Sequence, residues 1–145
     1  MKANKTTIIL AAIMIAAVVS VIAIGVVERR ISSQGRVKAI NVEVFSDPEC
    51  TQVLTEIYWG MIEPSETVST EIYLKNTGNS PLTVSMSTST WSPLTAENYI
   101  SVNWDAEGKE INPSDFLRAN ITLSVSSSIS GISSFSFLII ITGSG

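Results

Sequence analysis

The chain has 145 residues, which leaves room for one domain and a short membrane-spanning segment. It contains no histidine, so the commonest general base and metal ligand is absent, and its single cysteine, Cys50, excludes an intramolecular disulfide. Beyond Ala39 there are three basic residues and twelve acidic ones, and such a domain should repel nucleic acid phosphates. The composition therefore argues against an enzyme and against a nucleic-acid-binding protein.

An apolar run occupies Ile8 to Val27 and is interrupted only by Ser20 and Gly25. As an α-helix it would rise about 30 Å, which matches the thickness of a hydrocarbon core. The sequence therefore predicts a transmembrane anchor within residues 1–30 that holds the chain in the lipid bilayer.

A cleavable signal peptide is the alternative for residues 1–30. Lys2 and Lys5 would form its basic region, and Ala23 or Gly25 would be the small residue before the cut. The run is longer than the roughly 7–15 apolar residues usual for signal peptides, and the basic pair at residues 29–30 resembles an interfacial stop. These two features favour an anchor that is retained.

The orientation of the anchor rests on composition, because the basic residues before and after the apolar run are nearly balanced. An acidic, serine- and threonine-rich β domain and the sequon Asn120-Ile121-Thr122 both favour the cell exterior. We therefore expect a single-pass cell-membrane protein with an extracytoplasmic β domain, and Asn120 is a candidate glycosylation site.

Short segments of alternating apolar and polar residues follow a polar connector predicted over residues 31–36. A first strand is predicted over Ile40 to Val44, and a second extended piece over Val53 to Trp59, ended by Gly60 and by Pro64. The next stretch, Tyr73 to Val84, is predicted to be a β-hairpin because Asn76, Gly78 and Asn79 tolerate left-handed backbone conformations.

The second half of the chain continues this pattern. A helical turn is predicted over Thr95 to Asn98, followed by strands over Ile100 to Trp104, Leu117 to Val125 and Phe135 to Thr142. About seven short strands with turn residues between them predict one β-sandwich over residues 37–145, with the tryptophans at 59, 91 and 104 in its core. The fold class is therefore mainly β, preceded by one N-terminal transmembrane helix.

The last strand is apolar on both faces. Phe135, Phe137, Ile139 and Ile141 form one apolar face, while Leu138 and Ile140 lie on the other. Two interpretations remain open: a central strand under a covering loop, or a surface that another chain or the bilayer completes. We expect Leu138 and Ile140 to lie on an interface with a partner.

The sequence around the predicted hairpin carries a resemblance. It rests on Glu71-Ile72-Tyr73-Leu74-Lys75-Asn76-Thr77-Gly78-Asn79-Ser80-Pro81-Leu82-Thr83, and also on Trp59-Gly60, Ile62-Glu63-Pro64, Tyr99-Ile100-Ser101-Val102-Asn103-Trp104 and Asn112-Pro113. These residues resemble the Ig-like modules of archaeal and bacterial surface proteins, and small archaeal membrane proteins with one N-terminal helix and one such module. The chain is also similar to archaeal surface filament subunits whose sandwiches accept a strand from the next subunit. The resemblance implies an Ig-like sandwich that acts in adhesion, spacing or assembly.

Two polar clusters are candidate sites. Asp105, Glu107 and Glu110 lie around one turn and could bind calcium, but their spacing is not that of an EF-hand loop. Asp47, Glu49 and Cys50 form a second cluster, for which a buried structural thiol is the simpler interpretation. We therefore predict no catalytic residue, no metal, no cofactor and no small-molecule substrate.

Three functional hypotheses follow. The first is a membrane-anchored, non-catalytic Ig-like module at the cell surface, bound to a protein partner or to further copies of itself. The second is a secreted filament subunit that assembles by strand donation, with residues 31–44 as the donated arm. The third is an accessory subunit of a larger membrane complex.

Overall fold

The computed structural model describes residues 30–145. Strands make up 59% of this part of the chain, which confirms the mainly-β prediction. The elements are β1 (Ile31–Ile40), β2 (Glu43–Phe45), β3 (Glu56–Ile62), β4 (Thr67–Lys75), β5 (Leu82–Ser92), a short 3-10 helix (Leu94–Asn98), β6 (Ile100–Trp104), β7 (Glu110–Ile111), β8 (Phe116–Val125) and β9 (Ser134–Ser144).

The strands form two sheets. The five-stranded sheet has the order β3-β1-β9-β5-β7, and the four-stranded sheet has the order β2-β4-β8-β6. Neighbouring strands are antiparallel except for β1 and β9, which run parallel in register from Ser32 opposite Ser134 to Ile40 opposite Thr142. The first and last strands of the described chain are therefore neighbours.

One hydrophobic core fills the space between the sheets. Alternate residues of β8 and β9 point into it, because side chains on a strand alternate between its two faces. Ile121 and Leu123 from one sheet and Ile139 and Ile141 from the other have no exposed surface. Trp91 stacks on Phe137 with ring centroids 4.4 Å apart. Of the predicted core tryptophans, Trp91 is buried, while those at positions 59 and 104 are half-buried against the core.

The N-terminal segment differs in part from its prediction. The predicted anchor, Ile8 to Val27, lies outside the described residues. Residues 31–36, predicted as a connector, belong to β1 and are paired with both β3 and β9. Ile31 and Ser33 are buried, so the segment is an amphipathic strand whose inward side chains are partly small and polar.

The predicted hairpin at Tyr73 to Val84 is wrong. Strand β4 pairs with β2 and β8, whereas β5 pairs with β7 and β9 in the other sheet. Residues 76–81 therefore cross between the two sheets as an arch. None of Asn76, Gly78 and Asn79 has a positive φ angle, so the left-handed turn expected at these residues is absent.

Two predicted strand boundaries in the first half of the chain also differ from the structure. The strand predicted over Ile40 to Val44 is divided at Asn41, whose φ of 57° bends the chain from the five-stranded sheet into the four-stranded one. Gly60, predicted to end a strand, lies inside β3, where its φ of 80° marks an irregularity opposite Ser33. A glycine suits this bulge because it adopts positive φ without steric cost.

The later elements follow the predictions closely. The helical turn near Thr95, the strand from Ile100 to Trp104 and the two long strands β8 and β9 are all present. The link between β8 and β9 packs at the end of the sandwich where β1 begins, because residues 129–133 line a pocket with Arg30, Ile31 and Pro64. That end lies next to Ser134, four residues before Leu138.

Candidate functional site

The candidate interaction surface lies on the outer side of the five-stranded sheet. The register places Arg36 beside Leu138 and Lys38 beside Ile140, and all four side chains point away from the core. We call these four residues the β9 outer face. Leu138 and Ile140 are half-buried, whereas the two basic side chains are exposed.

The two flanks of the β9 outer face differ. On one side β5 contributes only serines, because Ser89 lies opposite Leu138 and Ser87 lies opposite Ile140. On the other side β1 contributes long basic side chains, and Glu56 of β3 lies opposite Arg36. Because serine side chains are short, Leu138 and Ile140 project further from the sheet than their neighbours on β5.

Three further apolar side chains share this side of the sheet. The exposed fractions are 69% for Tyr58, 51% for Met61 and 37% for Ile40. Their register partners Gln34, Ser32 and Thr142 also point outward. A groove of about 680 Å³ runs along this side; its lining residues are Gln34, Arg36, Val37, Lys38, Thr55, Glu56 and Leu138. The apolar character therefore extends beyond the two residues that the sequence indicated.

Asn120, the predicted glycosylation site, points outward from β8 in the other sheet and is half-buried. Its backbone N–H donates to Asp105 Oδ1 at 2.8 Å, and its side-chain Nδ2 lies 3.5 Å from Asp105 Oδ2. The amide nitrogen that would carry a glycan therefore rests beside a carboxylate. Glycosylation at Asn120 stays a prediction.

The acidic turn after β6 joins the two sheets. The Glu107 carboxylate accepts hydrogen bonds from Trp104 Nε1 at 2.7 Å and from the backbone N–H of Met86 at 3.1 Å. Trp104 belongs to the four-stranded sheet and Met86 to the five-stranded one. The hydrogen bond from the Asn120 backbone holds the pKa of Asp105 below its usual value. These carboxylates accept hydrogen bonds that fix the turn.

The cluster around Asp47 is likewise a closed turn. Its carboxylate accepts hydrogen bonds from the Thr51 hydroxyl at 2.6 Å and from the backbone N–H of Gln52 at 2.6 Å, and the Thr51 bond is the main cause of the lowered pKa of Asp47. Burial raises the pKa of the Cys50 thiol. Among residues 30–145 there is no group of three histidine, cysteine, aspartate or glutamate side chains placed to bind a metal.

An ionic cluster on the four-stranded sheet is not among the sites predicted from the sequence. Tyr73 and Arg118 lie opposite each other on β4 and β8, and both contact the carboxylate of Glu71. The Tyr73 hydroxyl donates to Glu71, and this hydrogen bond raises the pKa of Tyr73. The signal was present, because Glu71 and Tyr73 are two residues apart and therefore share a strand face.

The basic half of the β9 outer face was also missed. The sequence predicts a connector over residues 31–36, so it predicts no strand face for Arg36. The alternation of Gln34, Arg36 and Lys38 with the smaller residues between them indicates a strand, but Ser33 and Gly35 are not apolar and hid the period.

A comparison with protein-family models and with curated protein sequences found no match. Among residues 30–145 there is also no helix of sufficient length and apolar character to cross a membrane.

Proposed function

We propose that this protein is a non-catalytic surface module: an Ig-like sandwich held at the cell membrane by residues 8–27 and displayed outside the cell. In this role the anchor crosses the bilayer once, and the sandwich serves adhesion, spacing or assembly with a protein partner.

The observation that carries the proposal is the position of β1. It begins at Ile31, so only residues 28–30 separate the apolar run from the first strand. Strand β1 is paired along most of its length with β9 and also with β3. A helix ending at Val27 would therefore be followed almost at once by β1, which lies between β3 and β9 in the five-stranded sheet. Such a short connection suits a module held at a fixed distance from the bilayer.

The outer side of the four-stranded sheet supports exposure to water. Its side chains include a ladder of hydroxyl pairs, with Thr67 and Ser124 at 3.0 Å and Ser69 and Thr122 at 3.0 Å. Such small polar side chains are typical of a sheet face that remains solvated while the opposite face is buried. The acidic character of the domain also suits a soluble extracellular module.

Protease shaving of intact cells tests the proposal. The sandwich should be digested when protease is added to intact cells, and the apolar segment should stay with the membrane fraction after alkaline extraction. A sandwich that survives on intact cells but is digested after lysis would show that the orientation is wrong. Release of the whole chain by alkali would show that residues 8–27 do not anchor it.

A second candidate function is a secreted filament subunit that donates β1 to the next copy. The observation that favours it is again the position of β1, which is the first described strand and lies between β3 and β9 in the interior of the sheet. Its only covalent link to the rest of the sandwich runs through Asn41 and Val42. The same pairings could therefore form between two chains.

N-terminal sequencing of the mature protein discriminates between the two functions. A start at Met1 or Lys2 removes the secreted filament, whereas a start near Val26 removes the anchored module. Thiol cross-linking in a Cys50→Ser background adds a structural measure. Cysteines at Gln34 and Ser136, which are register partners, should link within one chain for the module and between chains for the filament.

A further inference from the structure

Two basic side chains of the described domain stand together on the outer side of the five-stranded sheet. Residues 30–145 contain six basic and twelve acidic residues. Two of the six, Arg36 and Lys38, project from the same side of β1 next to Leu138 and Ile140. The acidic residues on that side lie at the sheet's two edges, where Glu56 pairs with Arg36 on β3 and Glu110 pairs with Thr83 on β7. The β9 outer face is therefore locally cationic on an acidic domain.

Apolar and aromatic groups accompany this charge. Leu138 and Ile140 lie at its centre, and Tyr58 and Met61 extend it toward the edge strand β3. Basic side chains with apolar stems, a tyrosine and a shallow apolar ridge form the combination that binds the interface of an anionic bilayer. The stems and the ridge enter the headgroup region while the charges contact lipid phosphates.

We propose that the β9 outer face binds anionic lipid headgroups, so that the sandwich lies with its five-stranded sheet against the bilayer. The inference rests on the proposed function, because it requires residues 8–27 to hold the chain in that bilayer. Arg36 is five residues beyond Ile31, about 16 Å along the strand. The anchor at residues 8–27 therefore keeps the β9 outer face close to the membrane surface, which gives the lipid headgroups a high effective concentration at this face.

A second copy of the chain is a poorer occupant for this surface. In a two-fold symmetric dimer the same patch is used by both subunits. A contact with its two-fold axis at the centre of the β9 outer face would place Arg36 and Lys38 of one copy near the same residues of the other, and like charges repel. An anionic bilayer instead neutralises both.

The test uses the full chain in nanodiscs, which expose both membrane surfaces. In a Cys50→Ser background, an environment-sensitive fluorophore is attached through Leu138→Cys. The matched control carries it through Thr122→Cys, which is half-buried on the outer side of the other sheet. A third variant, Gln34→Cys, labels an exposed position on the proposed side, so the test does not depend on replacing Leu138.

In nanodiscs containing phosphatidylglycerol, we expect brominated lipid to quench the labels at 34 and 138 several-fold more strongly than the label at 122. Replacing phosphatidylglycerol by phosphatidylcholine, adding salt, or the double substitution Arg36→Glu with Lys38→Glu should remove most of this difference. Equal quenching at all three positions would overturn the inference. Shielding of the label at 138 without quenching by lipid, together with cross-linked dimers, would assign the face to a second copy.

Alkaline extraction of the same protein from vesicles distinguishes failure of the anchor from failure of the lipid-binding face. A chain that is released overturns both the proposed function and this inference. A chain that is retained but shows no lipid quenching at 34 and 138 overturns the lipid-binding face and leaves the anchored module intact.

Discussion

The side-chain amide of Asn76 donates a hydrogen bond to the backbone carbonyl of Ile111 at 2.9 Å, in the buried interior of the domain. This bond joins the end of β4 in one sheet to β7 in the other. The same amide nitrogen donates to the Ser80 carbonyl at 2.8 Å, and Asn76 Oδ1 accepts from the backbone N–H of Gly78 at 2.9 Å. One side chain therefore holds the arch between the sheets.

Substitution of Asn76 should loosen this arch. Asn76→Ala leaves the buried carbonyl of Ile111 without its partner, and it also removes the bonds to the exposed residues 78 and 80. We therefore expect a loss of about 1–3 kcal/mol in the free energy of unfolding. Urea denaturation of the full chain in detergent micelles, monitored by tryptophan fluorescence, measures this free energy of unfolding. Asn79→Ala is the matched control, because Asn79 is exposed in the same arch and should change stability by less than about 0.5 kcal/mol. Similar losses in both variants would contradict the role given to Asn76.

The arch also shows why the hairpin could not be excluded from sequence. Alternation with period two tells which side of a strand faces the core, and Leu74 and Leu82 on the two sides of the arch do face it. It does not tell which strand is the neighbour, because the inner faces of both sheets have the same apolar pattern. The pairing is decided by contacts that are distant in sequence, such as that between residues 76 and 111.

The sequence predicts only the apolar part of the candidate surface, because the basic part depends on a strand pairing that is also distant in sequence. The departure from alternation at Leu138 and Ile140 is visible in the sequence, and the structure places both on the outer side of β9. Their basic neighbours on β1 come from a segment just over a hundred residues earlier. A parallel pairing of the first and last strands has no local signal, since it needs no turn between them.

The close packing of β1 gives the second prediction. A methyl group on Gly35 would lie 3.2 Å from Trp59 Nε1 and 3.5 Å from Ile139 Cδ1. Gly35→Ala should gain about 0.4–1 kcal/mol by restricting the unfolded chain, yet lose about 1–3 kcal/mol through overpacking. We therefore expect a net loss of stability in urea denaturation. Gln34→Ala, at the exposed neighbouring position, should be nearly neutral. A stabilised Gly35→Ala variant would mean that β1 packs less closely than the structure shows.

The two faces of β9 give the third prediction. Ile139 is fully buried, so Ile139→Ala should cost about 2–5 kcal/mol. The double substitution Leu138→Ser with Ile140→Ser removes more apolar surface but on the outer face. It should lower the melting temperature less than Ile139→Ala does, while contact with a partner or bilayer is lost. A larger drop for the double variant, measured on the full chain in detergent, would assign both residues to the core.

The last prediction concerns acid stability. The backbone N–H of Asn120 stabilises the charged form of Asp105 and lowers its folded-state pKa below the ordinary value of 3.8. A carboxyl group with a lowered folded-state pKa contributes stability that is present above its unfolded-state pKa. This contribution is lost as the pH falls through the folded-state value. Wild-type stability should therefore fall with pH below about pH 4, in part because of Asp105.

Asp105→Asn tests this, because the amide oxygen still accepts the hydrogen bond from Asn120 but carries no titrating proton. The variant should be less stable than the wild type at neutral pH, and the difference should shrink as the pH falls through the lowered folded-state pKa of Asp105. Glu97→Gln, at an exposed position on the short helix, is the control and should keep the wild-type dependence on pH. A difference between the wild type and Asp105→Asn that stays constant from neutral to acid pH would show that the hydrogen bond does not depend on the charge of Asp105.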